Sequence, residues 1–113
     1  MRTMILRSPA KKVEGYFSKH RRASLVLPDG WYGRPFDSLF ALTLAEDTAN
    51  GLRIELEGGR QLIFQGDLDI VKTGFEKFPA LKLDSYRSFS WWPHDGISEE
   101  REYGKSGPVF FVS

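Results

Sequence analysis

The chain contains no cysteine, which excludes disulfides and thiolate metal sites. Histidine is nearly as scarce: His20 and His94 are the two present. They have no metal-ligand spacing, which argues against a structural zinc site, and no cofactor is expected. No stretch approaches the roughly 20 apolar residues of a membrane helix, so no membrane partner is expected. The first residues, Met1 to Pro9, lack the apolar core of a secretory signal. They are Arg-rich and acid-poor, as organellar presequences are, but Pro9 and Gly15 interrupt any long amphipathic helix. The default expectation is a cytoplasmic protein. No internal repeat and no second domain is visible, and residues 1–113 read as one domain of ordinary size.

Aromatic side chains, by contrast, are abundant: nine Phe, four Tyr and three Trp. Such residues suit the core of a twisted sheet or the walls of a binding cleft. Charge is balanced overall but not along the chain. Residues 1–22 carry seven Lys or Arg against Glu14 alone, and the remainder carries nine basic against fourteen acidic residues. The chain therefore divides into a basic N-terminal leader, 1–22, and an acidic body, 23–113. A leader of this kind can contact nucleic acid through Arg2, Arg7, Lys11, Lys12, Lys19, Arg21 and Arg22. It can equally fold onto its own body or remain solvated. With few apolar groups near its start, removal of residues 1–10 is expected to leave a cooperatively folding domain.

The clearest architecture lies between Leu52 and Gln65. Leu52, Ile54 and Leu56 alternate with Arg53, Glu55 and Glu57, the period of a half-buried strand. Gly58-Gly59 supplies a turn, and Leu62 and Phe64 alternate on the return. A two-residue loop would pair Glu57 with Arg60 and place Gln61 beside Ile54. A three-residue loop puts Leu52, Ile54, Leu56, Leu62 and Phe64 on one face, with Gly59 suited to a left-handed bulge position. The odd loop is therefore expected.

Elsewhere the pattern is also extended. Residues 4–7 fit a short strand that Pro9 would end. Lys11 to Arg22 reads as one poor helical turn or a loop, since Gly15 sits among Val13, Tyr16 and Phe17. Ala23 to Leu27 reads as a strand stopped by Pro28-Asp29-Gly30. Leu39 to Glu46 alternates, with Phe40, Leu42 and Leu44 on one face, and Asn50-Gly51 would turn it into the central hairpin. Leu68 to Lys72 is a short strand, and Thr73 to Pro79 an irregular link carrying Phe75. Leu81 to Trp92 is the longest extended candidate, with room for a bulge midway. Val109 to Val112 is a closing strand, one that would invite aggregation unless paired inside the sheet. The expected fold is mainly β: a small antiparallel barrel or two-layer roll of about seven to eight short strands with little helix.

Catalytic motifs fail one by one. Gly104-Lys105-Ser106 resembles the end of a phosphate-binding loop, but Glu99 stands where its first glycine belongs and Pro108 prevents the following helix. Gly104 to Gly107 is one residue short of a nucleophile elbow. Asp67 with Asp69, and Glu99 with Glu100 and Glu102, read as solvated carboxylates rather than cation ligands. Two loops remain, each placing tryptophan where polar residues are usual. One holds Trp31, Tyr32, Arg34 and Asp37; the other holds Trp91, Trp92, His94 and Asp95. Together they could stack and hydrogen-bond a ligand or partner, or could plug one end of the fold. His94 beside Asp95 has the makings of a general base. The two loops are expected to meet and form the main pocket.

The run Pro28-Asp29-Gly30-Trp31-Tyr32-Gly33-Arg34-Pro35-Phe36-Asp37 resembles a motif near the start of a small family of uncharacterised bacterial proteins. The family's ending is similar to Gly107-Pro108-Val109-Phe110-Phe111-Val112, and the likeness spans roughly residues 24–112. It implies a bacterial, self-contained domain, and no activity or functional residue comes with it. The expected function is a non-catalytic domain that binds a protein or small ligand through its aromatic loops, as an interaction or immunity-type partner. The alternative is a small barrel that stacks single-stranded nucleic acid and uses the basic N-terminus, although the acidic body opposes phosphate. A hydrolase or isomerase built on His94, Asp95 and Arg34 is a third, more distant reading.

Overall fold

The computed structural model describes residues 8–34 and 38–113. The expected strand at 4–7, together with Arg2, Arg7 and Asp37, lies outside the described residues. The chain is mainly β: among the described residues one α-helix, α1 (Pro9–His20), precedes ten strands. These are β1 (Arg22–Leu27), β2 (Gly30–Trp31), β3 (Phe40–Thr48), β4 (Gly51–Leu56), β5 (Arg60–Gln65), β6 (Asp69–Phe75), β7 (Phe78–Asp84), β8 (Ser88–Trp92), β9 (Arg101–Tyr103) and β10 (Val109–Val112). All pairings are antiparallel, in the order β6-β7-β10-β1-β3-β4-β5-β8-β9, with β2 pairing the end of β1 on the edge opposite β10. The end strands β6 and β9 do not pair, so the sheet is not a closed barrel. It is joined across β1 and β3 by only two residue pairs, and one core joins Leu25, Leu83 and Phe111 of one half to Ile54, Phe64 and Trp91 of the other.

The central hairpin has the expected odd register. Ile54 faces Leu62, Leu52 faces Phe64, and Leu56 faces Arg60 across the three residues Glu57–Gly59. Leu52, Ile54, Leu56, Leu62 and Phe64 are all buried. Both turn glycines have positive φ, 84° at Gly58 and 79° at Gly59, a conformation that a Cβ would oppose.

The alternation expected for β3 holds only for its first half. Leu42 pairs with Leu56, but Leu44 pairs with Glu55, so one extra residue bulges out between them. The bulge reverses the phase: Leu44 is exposed, and Ala45 turns inward opposite Ile54. The irregular link at Thr73–Pro79 is in fact a hairpin. Phe75 pairs with Phe78, and Glu76 and Lys77 make the turn with φ of 48° and 76°. No glycine or asparagine marks that turn, which is why its sequence hides it.

The long candidate Leu81–Trp92 breaks into β7 and β8 at Ser85, whose φ is 68°. The break moves the chain from the β6-β7-β10 half to the β5-β8-β9 half. It also changes parity, so that Leu83, Tyr86, Phe89 and Trp91 are all buried. The closing strand β10 is covered on both sides, by β1 and β7.

The main correction concerns the leader. Residues 9–20 are not a poor turn or a loop but a helix of three turns that buries Ala10, Val13, Tyr16 and Phe17. Ser8 caps it by accepting from the Lys11 N–H, and Pro9 occupies the first turn, where its missing N–H costs nothing. Asp47 at the end of β3 accepts from the Ser8 hydroxyl and from the Ala10 N–H at 3.0 Å. The Tyr16 hydroxyl meets the Ser113 hydroxyl at 2.7 Å. Gly15 weakens the helix intrinsically, yet a Cβ there would meet nothing within 4 Å. Gly15→Ala is therefore expected to raise stability by up to about 1 kcal/mol in urea denaturation. A loss of stability would show that the position needs glycine.

Candidate functional site

The two aromatic loops do meet. Leu27 pairs with Gly30 and Val26 with Trp31, so the Pro28-Asp29 turn brings the chain back along β1. The Tyr32 N–H then donates to the Leu25 carbonyl at 2.9 Å. Alternation sends the neighbouring rings to opposite sides. Trp31 packs edge-on against Phe75, at 5.4 Å, in a small cluster with Val26, Ala80, Val112 and Phe110. Tyr32 turns to the main core and meets Trp91 edge-on at 5.0 Å.

Trp91 is held in β8 opposite Leu62 and is buried. Past β8, Pro93 and His94 (φ 49°) turn the chain so that Asp95 accepts a hydrogen bond from the Tyr32 hydroxyl. The other Asp95 oxygen accepts from the Ile97 and Ser98 N–H groups at 2.8 and 2.6 Å. The Tyr32 bond first, and then these amides, hold the Asp95 carboxyl well below the ordinary carboxylate range. Burial, aided by Asp95, raises the Tyr32 hydroxyl above its ordinary value. The pair therefore joins an ionised carboxylate to a protonated phenol at neutral pH, a structural clamp between the loops.

A cleft of about 570 Å³ opens beside this clamp, lined by Tyr32, Phe40, Arg60, Asp95, Asp29 and Arg101 among others. Arg60 begins β5 directly after the glycine turn. Its guanidinium lies 4.6 Å from the Phe40 ring centroid, and one Nη donates to the Glu57 carbonyl at 3.1 Å. Its Nε is buried without a hydrogen-bond partner. At the rim, Arg101 donates to Asp29 at 2.8 Å, and both reach the Tyr103 hydroxyl at 3.3 Å. Asp29 and Asp95 are thus occupied by protein donors, whereas no carboxylate within 4 Å pairs with Arg60 among the described residues.

The expected site is assembled in part. Tyr32 and Asp95 line the cleft, and Trp31 borders it while its ring rests in the outer cluster. Trp91 lies buried behind Tyr32. Trp92 is half-buried and pairs with Gln61, away from the lining. His94 and Arg34 are exposed and outside the lining, and Asp37 lies outside the described residues. Asp95, the carboxylate expected to orient His94, is engaged instead by Tyr32, Ile97 and Ser98. Sequence reasoning missed Asp29, Phe40, Arg60 and Arg101. The signal for Arg60 was present in the odd register, which places it opposite Leu56 at the mouth of the hairpin. Nothing local indicates that Asp29 and Arg101, 72 positions apart, form an ion pair.

The cleft has a rival in size. A hollow of about 620 Å³ lies beside Asp47, Asn50, Asp67 and Arg87 but has no aromatic wall. Among the described residues no group of three or more His, Asp or Glu could hold a metal, and no helix is long and apolar enough to cross a membrane. Comparison with known protein families, with curated proteins and with solved structures found no match to this chain.

Proposed function

We propose that this protein is a non-catalytic binding domain whose cleft between the Trp31 and Trp91 loops takes a planar anionic group. That group belongs either to a small ligand or to a side chain of a partner protein. The observation that carries the reading is Arg60: a guanidinium stacked on Phe40, inside an aromatic cleft, with a buried Nε left without a partner. An unpaired buried donor costs about 1–3 kcal/mol, which binding of an acceptor beside it can offset. Arg favours planar oxyanions because its fork matches two acceptor oxygens. Tyr32, fixed by Trp91 and Asp95, supplies a rigid ring face for stacking.

Catalysis is a weaker reading, because the cleft places no poised base beside a nucleophile. The carboxylates of Asp29 and Asp95 are already occupied, and His94 is outside the lining. In this reading the chain is an interaction or immunity-type protein of the cytoplasm, and the resemblance at residues 28–37 adds only a bacterial origin.

Benzoate, an aromatic carboxylate, and benzamidine, its cationic counterpart, provide the test. In NMR titration, benzoate is expected to shift signals of Tyr32, Arg60 and Asp95, and Arg60→Gln is expected to abolish those shifts. Preference for benzamidine, or no response at the cleft to either compound, would overturn the reading.

A further inference from the structure

The opposite end of the sheet carries a second surface, independent of the cleft. Among the described residues strand β6 is terminal and pairs only with β7, and it is seven residues long. The other terminal strand, β9, has three residues, the short form in which exposed edges are usually tolerated. The direction of the free groups on β6 follows from its neighbour. The Pro79 carbonyl accepts from the Ser113 N–H at 3.0 Å, so Pro79 directs its backbone toward β10. In an antiparallel ladder such directions alternate, so Ala80, Lys82 and Asp84 bond to β6 through Thr73, Val71 and Asp69. Ile70, Lys72 and Gly74 therefore point their N–H and C=O groups outward. One of these is already taken: the Lys12 ammonium donates to the Ile70 carbonyl at 3.3 Å.

Beside this edge, α1 leaves a groove. Two adjoining hollows of about 360 Å³ each share Gly15 and Lys72. Their floor is formed by Tyr16, Ile70, Ala80 and Leu81, and their rim by Lys11, Lys12, Lys19, His20 and Lys72. Of the acidic residues nearby, Glu14 is the only acid of α1 and lines neither hollow, and Asp69 accepts from the Ser85 hydroxyl at 2.9 Å. Lysines on a bare edge can serve simply to discourage strand pairing. Here they also border an apolar groove, which protection of an edge does not need.

We propose that the β6 edge is a docking site for an extended acidic segment of a partner protein. The segment adds as an antiparallel or parallel strand against Ile70, Lys72 and Gly74. Its backbone supplies the hydrogen bonds, its acidic side chains meet Lys11, Lys12 and Lys72, and its apolar side chains enter the groove opened by Gly15. Charge complementarity selects this occupant: a basic or neutral strand lacks the attraction, and a second copy would bring its own lysines to the same edge.

The test uses a short acetylated and amidated peptide of alternating glutamate and valine, with a lysine-valine peptide as control. Amide hydrogen exchange of the full chain is followed by NMR. Peptide at about ten times its dissociation constant is expected to slow exchange at Lys72 and Gly74 about tenfold, as mass action requires. The effect should weaken with added salt and be absent with the lysine-valine peptide. Lys72→Pro is expected to abolish it, because proline removes an outward donor without touching the β6–β7 bonds. Should that variant fail to fold, the triple variant Lys11→Glu, Lys12→Glu, Lys72→Glu tests the same contact, with loss of the glutamate-valine effect expected. Equal protection by both peptides, no protection at Lys72 and Gly74, or protection there by oligothymidylate alone would overturn the proposal.

Discussion

Removal of residues 1–20 is expected to abolish cooperative unfolding. The segment looks like a detachable basic leader in composition, but its helix places Ala10, Val13, Tyr16 and Phe17 in the same core as the strands. Phe17 meets Phe111 edge-on at 5.1 Å, and Phe111 is wholly buried in the closing strand. Burying a large apolar side chain contributes about 1.5–3 kcal/mol. Three such residues approach the 5–15 kcal/mol total stability of a typical domain, and deletion also exposes the surfaces they cover. Phe17→Ala alone is expected to cost about 3–5 kcal/mol in chemical denaturation. A deletion variant that unfolds with an unchanged, sharp midpoint would show that the helix is an appendage after all. Loss of residues 1–10 is expected to be felt too, since Ser8 and Ala10 both bond to Asp47.

Trp91→Ala is expected to cost about 3–5 kcal/mol, the range for a buried aromatic truncated in place. For a domain of this size that corresponds to a fall in melting temperature of more than about 10 °C. Trp91 is 1% exposed, stands opposite Leu62 and supports the Tyr32 ring. Trp31→Ala is expected to cost less, about 1–2 kcal/mol, because its ring is half-buried in a small outer cluster. Thermal unfolding of the two variants side by side provides the measurement. Equal losses, or a larger loss at Trp31, would mean that the outer cluster is a second core rather than a cover. The comparison also separates support from recognition: Trp91 does not line the cleft but supports Tyr32 and pairs with Arg101, which do.

How much of this was legible depended on how local each feature was. The central hairpin could be read in full, because period-two alternation and a glycine pair left one register that buried every large apolar residue. The closing strand was legible for a related reason: four successive apolar residues have few places to go except between two others. The helix was not. Gly15 sits among its apolar residues, and its stability comes from the sheet it covers rather than from its own propensity. The β3 bulge and the Glu76-Lys77 turn were also hidden, since each is a backbone irregularity that packing imposes on residues with no turn preference, and of the break at Ser85 only a midway bulge could be read.

The site divides in the same way. Sequence alone singled out two loops with misplaced tryptophans, and the coupling of Tyr32 to Asp95 bears out their meeting. It gave the tryptophans and His94 the prominent roles, whereas in the structure Trp91 is core, Trp92 and His94 lie off the cleft, and Arg60 and Arg101 line it. What the sequence by itself determined was the strand content, the hairpin register and the absence of thiol chemistry, because these follow from composition and from neighbours two residues apart. Which charged groups are paired and which stay free was decided only by the tertiary structure. Arg101 meets Asp29, 72 positions away, and Ser8 meets Asp47, 39 positions away, and no local pattern encodes a contact between segments so distant in the chain.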